Sequence, residues 1–186
     1  MSKPTSGHFR GTTGERKFSN TPISEDAIIK ERTKGLDLRE HPVKHKSSLS
    51  LKKIRAKRDA RTATRDEYKK LDRMTRLDKK RKRAVKVFWR KERIRIKKGL
   101  PLTRNWTAEQ RSDILRKKTP KINGKSMQGH HTYSVNKYPH LAGNHNIIFP
   151  VSFEEHLYYW HGGNFKNSSP GRPFKRLTNT RRNKHD

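Results

Sequence analysis

The side chains of this chain that are best suited to chemistry crowd into residues 127–163. Six of its ten histidines lie between His130 and His161: the adjacent pair His130-His131, then His140, His145, His156 and His161. Two imidazoles side by side can divide labour, one holding a cation while the other takes a proton from water. Adjacent residues on a strand point to opposite faces, so such a pair serves one site only at a strand end or bulge. With no cysteine in the chain, disulfides, a thiol nucleophile and a Cys-based zinc site are excluded. A metal must be held by His, Asp, Glu or Asn. His140, after Pro139 in a polar loop, reads as a surface or structural residue. His145 should face away from its asparagine neighbours on strand alternation.

These residues need a scaffold, and its signals are local. Thr132, Tyr133 and Val135 favour a short strand near the histidine pair. Ile147, Ile148 and Phe149 form an apolar strand that Pro150 should stop. Ser152 and Glu155 make a capping box, so a helix starts at Phe153 and ends at Gly162-Gly163. His156 then sits near the helix start, where the dipole favours the neutral imidazole that binds metal. His161 is five residues on, about 500° around an α-helix, and should not share a face with His156. It can bend inward where the helix ends, bind a phosphate, or cap the helix C-terminus.

Upstream, Thr64 and Glu67 form another capping box. It opens a long helix with a narrow stripe of Tyr68, Leu71, Met74, Ala84, Val85, Phe88, Trp89 and Ile96, ending at Gly99. A third box, Thr107 with Gln110, opens a helix carrying Ile114 and Leu115 that stops before Pro120, and Lys121 to Lys125 supply a turn. Near the N-terminus a short helix from Glu25 to Lys34, capped by Ser24 and stopped by Gly35, is expected.

The whole chain has 186 residues, 48 Lys or Arg against 17 Asp or Glu, a net charge of +31, and only 28% hydrophobic residues. One core cannot fill such a chain, and part of it must be solvated helix or extended arm. No stretch approaches the ~20 apolar residues of a membrane span, and the N-terminus has no apolar signal core. Nucleic acid is the partner such charge most directly suits, through release of condensed counterions. The charge is uneven: residues 51–98 hold 23 basic and 6 acidic side chains, whereas residues 127–163 hold only Lys137 against Glu154 and Glu155. The run Lys79-Lys80-Arg81-Lys82-Arg83 reads as a solvated helix face, as a phosphate contact or, less directly, as an import signal.

Taken in order, Gly129-His130-His131, Asn144 and Asn146 before the apolar strand, and His156 on the following helix resemble the HNH motif, the ββα-metal finger shared with endonuclease VII. The Gly-His-His form resembles the GHH-signature nuclease toxins found at the C-termini of bacterial polymorphic toxins. The resemblance covers roughly residues 101–170, from Asn105-Trp106-Thr107 to His161-Gly162-Gly163-Asn164. It implies an α+β fold, mainly helical, with a small ββα-metal finger near the C-terminus. The expected organisation is a flexible basic arm over 1–50, a basic helical region over 51–100, the nuclease domain over 101–170 and a basic tail over 171–186.

Carried onto these positions, the resemblance implies His131 as general base, Asn146 (Asn144 as second choice) as the residue that orients it, and His130 and His156 as ligands of one divalent cation: Mg²⁺, Mn²⁺, Ni²⁺ or Zn²⁺. His161 would be the third ligand. There the sequence departs from the four-residue spacing of the family's DNase colicins. The phosphate grip falls to Lys79, Lys80, Arg81, Lys82, Arg83, Arg90, Lys166 and Arg172. The implied activity is endonucleolytic cleavage of DNA with little sequence preference, in a toxin opposed by an acidic immunity protein and carried by a larger toxin or secretion system into a target-cell cytoplasm. A non-enzymatic basic nucleic-acid-binding protein, or an HNH nuclease acting on RNA, remain the alternatives.

Overall fold

The computed structural model describes residues 24–168 and 170–174. Residues 1–23 of the expected arm and 175–186 of the expected tail lie outside them. The fold is α+β and mainly helical, with two small two-stranded sheets. Four α-helices come first: α1 (Glu25–Thr33), α2 (Leu51–Asp59), α3 (Arg65–Lys97) and α4 (Ala108–Leu115).

Each starts where its capping residue dictates. The Ser24, Ser50, Thr64 and Thr107 side chains accept backbone N–H bonds at the four helix starts, and both expected capping boxes, Thr64/Glu67 and Thr107/Gln110, are closed in both directions. The long helix α3 ends at Lys97, and Gly99 follows with a φ of 61°, a left-handed conformation glycine adopts without strain. Lys121–Ile122 (β1) and Lys125–Ser126 (β2) pair as a hairpin whose turn residues Asn123 and Gly124 both have positive φ.

Gln128–His131 (β3) pairs antiparallel with Ile148–Val151 (β4), setting His130 opposite Phe149 and His131 opposite Ile148. Two expectations shift here. The first strand of the finger lies over the histidines themselves rather than over Thr132 to Val135. The second continues through Pro150 to Val151, because a two-stranded sheet leaves each strand an outer edge on which a missing N–H costs no ladder bond. After β4 the capping box of Ser152 and Glu155 closes as expected, and a helical turn from Phe153 runs into a π-helix, Glu155–Trp160.

The main core joins Ala84 and Phe88 of α3 to Ile147, Ile148, Phe149, Val151 and Trp160 of the finger, with Ile29 of α1 added from the far side. Residues 24–50 are thus part of the folded body and not a free arm. Arg32 of α1 donates to the Ile148 carbonyl at 3.0 Å and the His145 carbonyl at 2.8 Å, and lies over the Phe88 ring. A second core of Trp106, Ile114 and Met127 packs beneath Trp89 and Ile96 of α3. Its anchor is Glu92, fully buried in α3. Its carboxylate accepts from the Thr103 N–H (2.7 Å), the Thr103 hydroxyl (2.8 Å), the Trp106 indole (2.7 Å) and Arg95 (3.0 Å). A buried carboxylate is tolerated only when its lone pairs are used in this way. Among the described residues no helix is long and apolar enough to cross a membrane.

Candidate active site

The site forms where β3 passes under α3. Gly129 has to be glycine: a Cβ there would lie 2.9 Å from both methyls of Val85 on α3 and 3.2 Å from Ile148. The close approach of strand to helix presses the two following histidines against a cleft of about 790 Å³. Its walls include Arg55 of α2, Arg73 and Arg81 of α3, and His130, His131, His156 and His161.

His130 is buried, with its ring centroid 4.6 Å from Trp160, 4.8 Å from His156 and 5.1 Å from His161. His156 and His161 are themselves 4.9 Å apart, and one ring nitrogen from each of the three lies within 4.8 Å of the others. The five-residue spacing is reconciled by the π-helix. Its turns close through i→i+5 bonds, one residue wider than an α-turn, so residues five apart come round to the same side. The sequence argument assumed an α-helix, and on that assumption the two histidines diverge. Trp160 of the same helix is buried, whereas Tyr158 and Tyr159 are exposed.

Second contacts fix the imidazole tautomers. His161 Nδ1 hydrogen-bonds the Asn167 carbonyl, and since a carbonyl can only accept, that nitrogen carries the proton. His156 Nδ1 bonds Gln128 Oε1 in the same sense. In both rings Nε2 keeps its lone pair, the arrangement in which an outer acceptor orients a metal-binding histidine. Burial holds His130 and His156 below the ordinary imidazole value: His130 to about 2, with the charges of His156 and His161 adding to the effect, and His156 to about 4. Both are neutral at pH 7, the form that binds metal.

His131 points away from this cluster, as strand alternation requires. Its Nε2 donates to the Ala142 carbonyl at 3.2 Å, which leaves Nδ1 as the free base. Burial lowers His131 to about 4, the Ala142 hydrogen bond works against that shift, and the positive charge of Arg81 adds to it. Among the described residues neither Asn146 nor Asn144 hydrogen-bonds His131. Asn144 Oδ1 instead accepts the Asn146 N–H at 2.9 Å and caps the short 3₁₀ turn His145–Ile147 that leads into β4. The orienting group is a main-chain carbonyl, a type of partner that residue identity does not reveal.

Of the expected phosphate contacts, Arg81 and Lys166 line the cleft. Lys79, Lys80, Lys82 and Arg83 are exposed on α3 outside it, Lys82 pairing with Asp78 at 2.7 Å. Arg90 lies further along the helix, and Arg172 lines a separate groove beside α1. Arg55 and Arg73 belong to the cleft and were missed. Positions 73, 77 and 81 share one stripe of α3 by their four-residue spacing, a signal hidden by the density of charge around it.

Two antiparallel strands and a helix that bring histidines together beside a basic helix make up a ββα finger. The family to which this domain belongs is given by sequence. Residues 71–151 match the family described as GHH signature containing HNH/Endo VII superfamily nuclease toxin, so this segment carries a nuclease toxin domain of that superfamily. The match reaches back into α3, well before residue 101, in keeping with the close approach of Val85 to Gly129 of the finger and the bonds that Thr103 and Trp106 make to Glu92. It ends at Val151, so the assignments of His156 and His161 stand on geometry. No curated protein and no solved structure matches the chain.

Proposed function

We propose that this domain is a metal-dependent endonuclease that hydrolyses phosphodiester bonds in DNA with little sequence preference. The observation that carries this reading is the convergence of His130, His156 and His161 beside the separately held base His131, within an arginine-lined cleft. Three imidazoles, two with Nδ1 already engaged, fit a divalent transition metal; imidazole donors suit Zn²⁺ or Ni²⁺ better than Mg²⁺, which prefers oxygen. When bound, the cation offsets charge on the phosphate and on the leaving oxygen. His131 Nδ1 takes the proton of the attacking water while its Nε2–H stays on Ala142. The water oxygen bonds to phosphorus and the bond to the 3′-oxygen breaks. Arg81, whose charge is felt by both His131 and His156, holds the phosphate against them, with Arg55 and Arg73 on the flanking backbone.

In a toxin setting, the chain would act after delivery by a larger toxin or secretion system into a target cytoplasm. Its producer would need an immunity protein, and a net charge of +31 favours an acidic one. The test is supercoiled plasmid incubated with the chain and Mg²⁺, Mn²⁺, Ni²⁺ or Zn²⁺, with and without chelator, and structured RNA in parallel. Metal-dependent nicking that drops by about 10²–10⁴-fold in a folded His131→Ala variant is expected. Tight binding without cutting under every metal defeats the enzymatic reading, and cleavage of RNA alone defeats the choice of DNA.

A further inference from the structure

Apart from the residues that line the cleft, a second set of metal-ligating side chains converges where the segment after α1 meets the turn around His140. Asp37 and His41 lie in the irregular connector between α1 and α2, and His140 in the 3₁₀ turn Pro139–Leu141. His41 Nε2 is 3.0 Å from Asp37 Oδ2, His140 Nε2 is 2.8 Å from the Asp37 carbonyl, and the two rings meet edge to face at 4.6 Å. One donor atom from each of the three side chains lies within 4.8 Å of the other two. Two imidazoles and a carboxylate, all exposed, are drawn together from segments about a hundred residues apart in sequence.

We propose that Asp37, His41 and His140 form a second metal site, for a divalent transition metal of the Zn²⁺ or Ni²⁺ class, that fastens the α1–α2 connector to the finger. The required movement is small. Ligand atoms around tetrahedral zinc are about 3.3 Å apart, from zinc–nitrogen bonds of about 2.0 Å, and His41 Nε2 and Asp37 Oδ2 are already at 3.0 Å. The imidazole protons now directed at Asp37 occupy positions that a cation would take over. Hydrogen bonds from Arg39, and then from His41, hold the Asp37 carboxyl far below its ordinary range, so it is a carboxylate at any pH where the imidazoles can ligate. Arg39 is the competitor. Its guanidinium donates to both Asp37 oxygens at 2.9 Å and its N–H to Oδ1 at 3.0 Å, so it must release Oδ2. Its side chain is 82% exposed, and an ion pair in that setting holds weakly.

The place of this site in the fold gives it a consequence. The His41 N–H donates to the Lys137 carbonyl at 2.8 Å, so the connector already rests on the start of this loop. Ala142, immediately after the turn that carries His140, supplies the carbonyl that orients His131. A metal on His140 therefore immobilises the turn whose end holds His131. This site stands on its own residues and does not depend on the nuclease reading.

The test titrates Zn²⁺ into the whole chain by isothermal calorimetry, with a His41→Ala/His140→Ala double variant and a His130→Ala/His156→Ala double variant alongside. Two equivalents are expected in the wild type and one in each double variant. In the His130→Ala/His156→Ala variant, Zn²⁺ should still raise the unfolding midpoint, and it should cease to do so once His41 and His140 are also replaced. An unchanged number of equivalents in the folded His41→Ala/His140→Ala variant overturns the proposal, as does a wild type that binds a single Zn²⁺ lost with His130 and His156. A single Zn²⁺ lost with His41 and His140 supports this site and removes the metal from the cleft.

Discussion

The two histidine clusters use the same residue type under opposite conditions. In the cleft, His130, His156 and His161 are packed against Trp160 and Phe165, and the outer nitrogens of His156 and His161 are tied to fixed acceptors. In the other cluster, His41 and His140 are exposed and their bonded nitrogens are spent on Asp37. Burial with a prepared tautomer leaves lone pairs aimed inward at no further ordering cost. Exposure with self-satisfied donors requires hydrogen bonds to be exchanged first. The inner site should therefore bind metal more tightly, and the outer one should respond more to free metal concentration.

Replacement of single ligands breaks this comparison most sharply. His156→Ala or His161→Ala is expected to weaken the tighter Zn²⁺ binding event by at least about 100-fold, since each removes a ligand whose orientation alone is typically worth about 10–100-fold. His41→Ala should leave that event unchanged. Calorimetric titration of the three variants separates the cases, and an inner affinity that survives His161→Ala would mean that the π-turn does not deliver a ligand.

A smaller effect follows from what sets the inner rings in place. Gly129→Ala drives a methyl into Val85 and should destabilise the chain by about 1–3 kcal/mol, as over-packing does. Denaturant unfolding would read this as a lowered midpoint at constant slope. Val85→Ala introduced into the same variant should restore part of the loss, because it removes the opposing methyls. A double-mutant cycle without coupling would show that the strand–helix approach is not the constraint.

This division also marks how far the sequence could be read. Whatever depends on residues three or four apart was legible: the caps at Ser24, Thr64, Thr107 and Ser152, the end of α3 before Gly99, and the order of strand, strand and helix around the histidines. Whatever depends on a main-chain carbonyl or on helix pitch was not. Ala142 holds His131 through an oxygen that every residue possesses. Arg32 reaches the carbonyls of Ile148 and His145 more than a hundred residues away, which made a docked helix look like part of an arm. The π-turn left only the five-residue spacing as a trace, and that spacing reads as a defect until the helix widens. Pro150 misled for a related reason: whether a strand tolerates proline depends on which edge is free, and that is a property of the sheet.

The last expectation concerns protons and applies to the metal-free chain. His131 and His156 have folded values near 4, below the ordinary imidazole value of 6.5. Between those values the unfolded chain takes up protons that the folded chain refuses. The stability these histidines contribute is thus fully present above about pH 6.5 and is lost as pH falls toward and through about 4. Each should add a slope of up to about 1.4 kcal/mol per pH unit within that window. Unfolding curves recorded at intervals from pH 7 to pH 4 would show it, and His131→Ala should remove part of the slope while His41→Ala leaves it intact. A metal-free chain equally stable at pH 7 and pH 4.5 would contradict the burial of these imidazoles as neutral groups. If saturating Zn²⁺ flattens the upper part of the same curve, the ion is competing with protons for the inner cluster, the behaviour expected of a site prepared for metal.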